Sequence, residues 1–280
     1  MIQERLETYI MKHIALRSLS NRKIAPYTTP GLGDRLQACM IGYNYHLKHN
    51  TPVTLHLTWD KWGIYRDQKS DFKIKSWNEI LSLFPKGSLH IEAHEVSNLQ
   101  EVNWIKYLQN KGIDAQTYYY SDYTGPRDLV EGLDLFDASK YLKDYPCLKP
   151  IVNDLRLPER FVTFQFDSNG VPSWQDNSAD IRKISPMKVE QIKGYYTHRG
   201  YDMIIVGGEA KGSPFTGIKE AGYAMSKASY HIGTDSGFFH LANLYMKPNQ
   251  IRLYCNKGFY QSHHVLRAID NNVAVMEIDI

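Results

Sequence analysis

Along the chain, apolar residues fall into short blocks whose spacing alternates between two-residue and three-to-four-residue steps. The first block (Leu6, Ile10, Ile14 and Leu16) has helical spacing and predicts an amphipathic helix. Residues 23–28 predict a strand, followed by a glycine-rich turn and a helix over 34–48. In 52–59 the alternation of Val53, Leu55 and Leu57 predicts a second strand. Residues 76–84 and 99–109 read as helical, and 88–93 and 115–120 as extended.

The stretch 134–158 breaks this rhythm with Pro146, Pro150 and Pro158 among charges, and marks a linker. Beyond it the pattern restarts. Strands are predicted at 161–166, 203–206, 230–233, 251–254 and 273–278, and helices at 186–199, 218–227 and 237–246. Strands separated by helices of this size imply parallel β-α-β units. The expectation is an α/β protein of two Rossmann-like domains with parallel sheets, residues 1–150 and 151–280. One detail sits badly: 23–28 is less apolar than a central parallel strand requires.

A length of 280 residues suits two medium-sized domains, and 42% hydrophobic with 22% charged residues supports a packed core. The formal net charge of +3 is too small for a concentrated basic stripe, so no nucleic-acid partner is expected. Cys39, Cys147 and Cys255 are far apart and odd in number, which fits a reducing compartment. The start, Met1-Ile2-Gln3-Glu4-Arg5, lacks the features of a signal peptide, and no apolar run reaches the ~20 residues that span a bilayer. A cytoplasmic protein without a transmembrane segment is expected.

The candidate chemistry lies in two turns. Thr234-Asp235-Ser236-Gly237-Phe238-Phe239-His240 joins a predicted strand to an apolar helix. Asp235 or Ser236 suits the N-cap, and Gly237 lets a ligand approach the backbone. The N–H groups and dipole of the helix start favour an anion such as a diphosphate. His240 is placed to donate to a phosphate oxygen, and Asp235 to accept from sugar hydroxyls. A capped helix with a packed histidine would look the same. The carboxyl end of a parallel strand is, however, where open α/β sheets bind ligands. The second turn, Thr29-Pro30-Gly31-Leu32-Gly33-Asp34-Arg35-Leu36, puts two glycines before a helix and Asp34 at its start. There the dipole stabilises a carboxylate, whether as a cap or as a base.

The run Tyr-His-Ile-Gly-Thr-Asp-Ser-Gly-Phe-Phe-His-Leu-Ala-Asn-Leu over 230–244 resembles the D-[ST]-G-x-x-H-x-A signature of glycosyltransferase family 9, the ADP-heptose:lipopolysaccharide heptosyltransferases. The preceding helix and the strand ending in Gly207-Gly208 stand in the same order as in that family. The resemblance implies a GT-B fold and a metal-independent, inverting transfer of a sugar from a nucleoside diphosphate to a hydroxyl of a saccharide or other acceptor. Heptose is its default donor sugar, and no cofactor is needed. It makes Asp34 the general base and gives the donor to Thr234, Asp235, Ser236, Gly237 and His240. It also turns Lys183, or else Arg182, towards the donor phosphates, where a cation stabilises the leaving group.

Glu209, just beyond Gly207-Gly208, is placed to bind ribose hydroxyls. Gly31, Gly33, Asp34 and Arg35 also resemble the first loop of some fucosyltransferases, where a basic residue such as Arg35 contacts a GDP-sugar. A sugar-nucleotide epimerase and a non-catalytic nucleotide-sugar-binding protein stay open as alternatives. His263-His264 have no third ligand at a convincing spacing, so no metal site is expected. The tyrosines 118–120 and 123, with Trp59 and Trp62, read more readily as strand core than as sugar-stacking residues.

Overall fold

The computed structural model describes residues 11–20, 23–26, 32–60, 78–96, 104–113, 116–120, 136–137, 148–151, 154–166, 184–207, 212–215, 217–256 and 273–278. They form two compact units, one made of 1–29 and 38–142, the other of 30–37 and 143–280. The glycine turn of the first half thus clusters with the second unit.

The first unit holds β1 (Lys12–Ser20), β2 (Lys23–Pro26), β3 (Val53–Asp60), β4 (Leu89–Val96), β5 (Gln116–Tyr120) and β6 (Phe136–Asp137). Helix α1 (Leu32–His49) follows β2, and α2 (Trp104–Asn110) follows β4. The strand order is β4-β3-β1-β5-β6, every neighbour parallel, with β2 antiparallel on β1.

Two expectations change here. Residues 12–20 are a strand, not the end of an amphipathic helix. Ile14 and Leu16 fit a two-residue step as well as a helical one, and pairing of β1 with both β3 and β5 decides between them. The segment 23–26 is extended, as expected, but it is the short antiparallel partner of β1 rather than a central strand. Its polar character follows from that position. In addition, Phe136 and Asp137 pair with Tyr118 and Tyr119, so sheet structure reaches into the stretch read as linker.

One face of this sheet is apolar. Val53, Leu55 and Leu57 are almost fully buried, and a Cβ on Gly42 of α1 would lie 2.7 Å from Leu89 and 3.1 Å from Leu55. Glycine at that point lets the helix lie close on the sheet. The opposite face carries polar residues, His56 in register opposite Glu92 with His94 next to them.

The second unit holds β7 (Phe161–Gln165), β8 (Asp202–Ile205), β9 (Tyr230–Gly233), β10 (Ile251–Asn256) and β11 (Ala274–Ile278). Helices α3 (Pro186–His198), α4 (Ile218–Lys227) and α5 (Gly237–Tyr245) connect them. The order is β11-β10-β9-β7-β8, all parallel. This is a doubly wound sheet whose order reverses between β7 and β9. Strand β7 is buried on both faces, as a central parallel strand should be.

Val162, Phe164 and Ile232 pack with Tyr196 of α3, each buried side chain contributing about 2 kcal/mol. Capping fixes the helix starts. Ser185 accepts from the Lys188 N–H at 3.4 Å ahead of Pro186, and Glu220 accepts from the Gly217 N–H at 3.3 Å. Helices α4 and α5 meet where Gly222 lies against the Tyr245 ring. No helix among the described residues is long and apolar enough to cross a membrane.

Candidate functional site

Strand β9 ends at Gly233, and the chain turns through Thr234, Asp235 and Ser236 into α5. This turn stands at the carboxyl ends of β7 and β9, where the strand order reverses. The Thr234 N–H donates to the Gln165 carbonyl at 3.2 Å, tying the turn to β7. A Cβ on Gly233 would lie 2.5 Å from the same carbonyl, so only glycine lets the strands stay this close.

Of the two capping candidates, Ser236 is the N-cap. Its backbone is extended and its hydroxyl accepts from the Phe239 N–H at 3.4 Å. The N–H groups of Gly237 and Phe238 lie in the same first turn, beyond reach of any intrahelical carbonyl.

Thr234, Asp235 and His240 are buried, at 1%, 2% and 4% exposure, so the turn belongs to the interior rather than to a solvated loop. Asp235 Oδ1 lies 3.7 Å from His240 Nε2. That is an electrostatic pairing when the ring is protonated, and too long for a hydrogen bond.

The glycine turn of the first half meets this one inside the second unit. The Cβ position of Gly33 is 2.7 Å from His240 Cδ2 and 3.6 Å from Gly237 Cα, and that of Gly237 is 2.7 Å from Leu32 Cβ. The first turns of α1 and α5 therefore abut, glycine against side chain in both directions. Two helix N-termini converge there, each with its partial positive charge. Arg35, one turn into α1, is 4% exposed. Asp34 occupies the third position of α1, with its side chain outside the described residues. Gly31, Arg182, Lys183, Glu209, Tyr123, Trp62, His263 and His264 lie outside them too, as do the side chains of Trp59 and the tyrosines 118–120.

Beneath the turn, on β9, His231 Nδ1 is 3.1 Å from Thr163 Oγ1 on β7, while Nε2 has no hydrogen-bond partner among the described residues. Complete burial pushes its pKa down to about 3, so the ring is neutral. Gln165 Oε1, at the end of β7, is also buried without a hydrogen bond among the described residues.

The polar face of the first sheet holds a group the sequence reading passed over. His13 Nδ1 is 2.8 Å from His56 Nε2, and His56 Nδ1 is 2.9 Å from His94 Nε2. Glu92 Oε2 stands 3.4 Å from His56 Nδ1 and 3.9 Å from His94 Nε2. Burial, reinforced by the neighbouring histidines, lowers His56 to about 4, and burial also lowers His94. A signal existed: in His90-Ile91-Glu92-Ala93-His94, strand alternation puts the three polar residues on one face. His56 joins them only through strand pairing.

No protein-family model matches the sequence, and no curated protein matches it. Among solved structures, the chain resembles a glycosyltransferase family 9 protein from Veillonella parvula DSM 2008, with a TM-score of 0.51 at 9% identity over 95% of this chain and 86% of that one. The dodecameric iron-containing heptosyltransferase TibC, solved with ADP-D-beta-D-heptose, gives a TM-score of 0.38 at 10% identity over 96% of this chain and 58% of that chain, below the level of a shared fold. With its two parallel sheets and the doubly wound order of the second, the chain has the fold of a glycosyltransferase family 9 structure, a GT-B-like pair of Rossmann-like units.

Proposed function

We propose that the protein is a glycosyltransferase that moves a sugar from a nucleoside diphosphate to a hydroxyl acceptor. The observation that carries this reading is the docking of Gly33 on His240. It joins the two turns with helix-start chemistry at the reversal point of a doubly wound sheet, where such folds take their ligands. The diphosphate lies against the first turn of α5, held by the N–H groups of Gly237 and Phe238 with Thr234, Ser236 and His240 around it. Lys183 or Arg182 supplies a further cation, Glu209 the ribose contact, and Asp235 a sugar contact. Gly31 and Gly33 keep the neighbouring backbone slim, and Arg35 lends positive charge.

Asp34 takes the proton from the acceptor hydroxyl. The freed oxygen attacks the anomeric carbon from the face opposite the diphosphate, the bond to the diphosphate oxygen breaks, and the configuration inverts. The helix starts and the basic residues receive the charge left on the nucleoside diphosphate, so the transfer needs no metal ion. Heptose is the default donor of the resembled family. The half up to about residue 150 serves the acceptor and the half from 151 the donor, in the reducing interior that the cysteines suggest.

Thermal-shift titration with ADP-, GDP- and UDP-linked sugars identifies the nucleotide, because only the cognate donor raises the melting temperature strongly. Stabilisation by GDP-sugars alone would favour the fucosyltransferase-like alternative. Asp34→Asn should keep donor binding and lose most transfer, by about 100-fold or more for a missing base. Full activity in Asp34→Asn would remove that aspartate from the mechanism.

A further inference from the structure

The three donor atoms His56 Nδ1, His94 Nε2 and Glu92 Oε2 stand 2.9, 3.4 and 3.9 Å apart, all within the first unit. A circle through points with these separations has a radius of about 2.0 Å, which is the bond length of zinc to imidazole nitrogen and carboxylate oxygen. Their separations also bracket the ~3.3 Å edge of a tetrahedron with such bonds. We propose that His56, Glu92 and His94 bind a first-row divalent cation of the zinc class on the polar face of the first sheet.

The chemistry of the surroundings fits a cation. Between two neutral imidazole nitrogens only one proton can lie, and here a carboxylate oxygen approaches the same point. A metal ion replaces that proton and takes a lone pair from each of the three atoms. Both rings are buried, at 0% and 7% exposure, which favours the neutral imidazole a metal requires.

His13 completes the arrangement. With His56 Nδ1 on the metal, His56 Nε2 carries the ring proton and donates it to His13 Nδ1 at 2.8 Å, the orienting hydrogen bond that ligating histidines commonly make. His13 stacks on the same ring at 5.1 Å between centroids. Tyr107 of α2 meets the His94 ring edge-on at 5.7 Å, which limits its rotation. The Glu92 side chain is 42% exposed, so the site opens to solvent on that side, where water would complete a four-coordinate shell.

None of these residues is among those assigned to the donor or to catalysis, so the test is independent of that reading. Untagged full-length protein, stripped with a chelator, is titrated with zinc against a chromogenic competitor, and with cobalt for its absorption spectrum. One equivalent should bind, with a tetrahedral cobalt spectrum. His94→Gln should abolish stoichiometric binding. Glu92→Gln, whose side chain is half in solvent, should keep the fold and weaken binding by at least about 10-fold. His13→Ala should weaken it about 10- to 100-fold while leaving the cobalt spectrum tetrahedral. His49→Ala, at the exposed end of α1, should bind as wild type does. Absence of stoichiometric uptake would overturn the proposal, as would an affinity unchanged in Glu92→Gln.

Discussion

Replacing Gly33 by alanine puts a methyl group where the His240 ring now lies. The new carbon would stand 2.7 Å from Cδ2 and 3.4 Å from Nε2. Carbon atoms in contact prefer about 3.5–4.0 Å, so the ring or the helix start must move by about 1 Å. The ring has little room, being 4% exposed, beside Asp235 and tilted against the Phe239 ring at 5.2 Å between centroids. Such overpacking costs about 1–3 kcal/mol. The better helical propensity of alanine offsets up to about 1 kcal/mol. A net loss of about 1 kcal/mol lowers the melting temperature by about 2–4 °C in a unit of this size.

The effect on function should be larger, because a 1 Å misplacement of a positioning group can cost about 100-fold. Differential scanning fluorimetry with and without nucleotide-sugar measures stability and donor binding, and a transfer assay measures the rate. His240→Ala in the same background removes the clash, so the two substitutions should couple by about 0.5–3 kcal/mol. A wild-type melting temperature and donor affinity in Gly33→Ala, or simple additivity with His240→Ala, would refute the docking.

Ser236→Ala removes the cap of α5 and should lower stability by up to about 1 kcal/mol, at the low end because the bond is 3.4 Å long. The same change should weaken nucleotide binding, and isothermal titration with the donor's nucleoside diphosphate reads that loss. Acidification should destabilise the second unit through His231. Its folded pKa of about 3 lies below the ordinary 6.5, so the unfolded chain takes up the proton first. The stabilisation is whole above pH 6.5 and is lost as the pH falls from 6.5 towards 3. Between pH 7 and pH 5 this amounts to about 2 kcal/mol. Urea unfolding at the two pH values measures it, and His231→Leu should shrink the difference.

Strands β7 and β9 and the helices α3 to α5 were legible because each is bounded by its own chemistry. Ser185-Pro186, Gly217 with Glu220, and Ser236-Gly237 mark helix starts without reference to the rest of the chain. Strand β1 was not legible, because a block such as Leu6, Ile10, Ile14 and Leu16 fits two periods at once. Only the flanking strands β3 and β5 select the extended form. The polarity of 23–26 was visible as an anomaly, and its antiparallel pairing on β1 explains it.

The site divides in the same way. A helix start that favours an anion is a local property, so the turn at Asp235-Ser236-Gly237 declared itself in the residues. Its contact with Gly33 spans some two hundred positions of chain and depends on how 30–37 pack into the second unit. The separations among His56, Glu92 and His94 likewise exist only once β3 lies in register beside β4. By itself the sequence determined those elements that carry their own caps and a single periodicity, and which turns favour charge, since propensity, capping and periodicity act over a few residues. Tertiary structure alone decided which of those turns and side chains meet, because sheet order and register bring together residues that no local spacing relates.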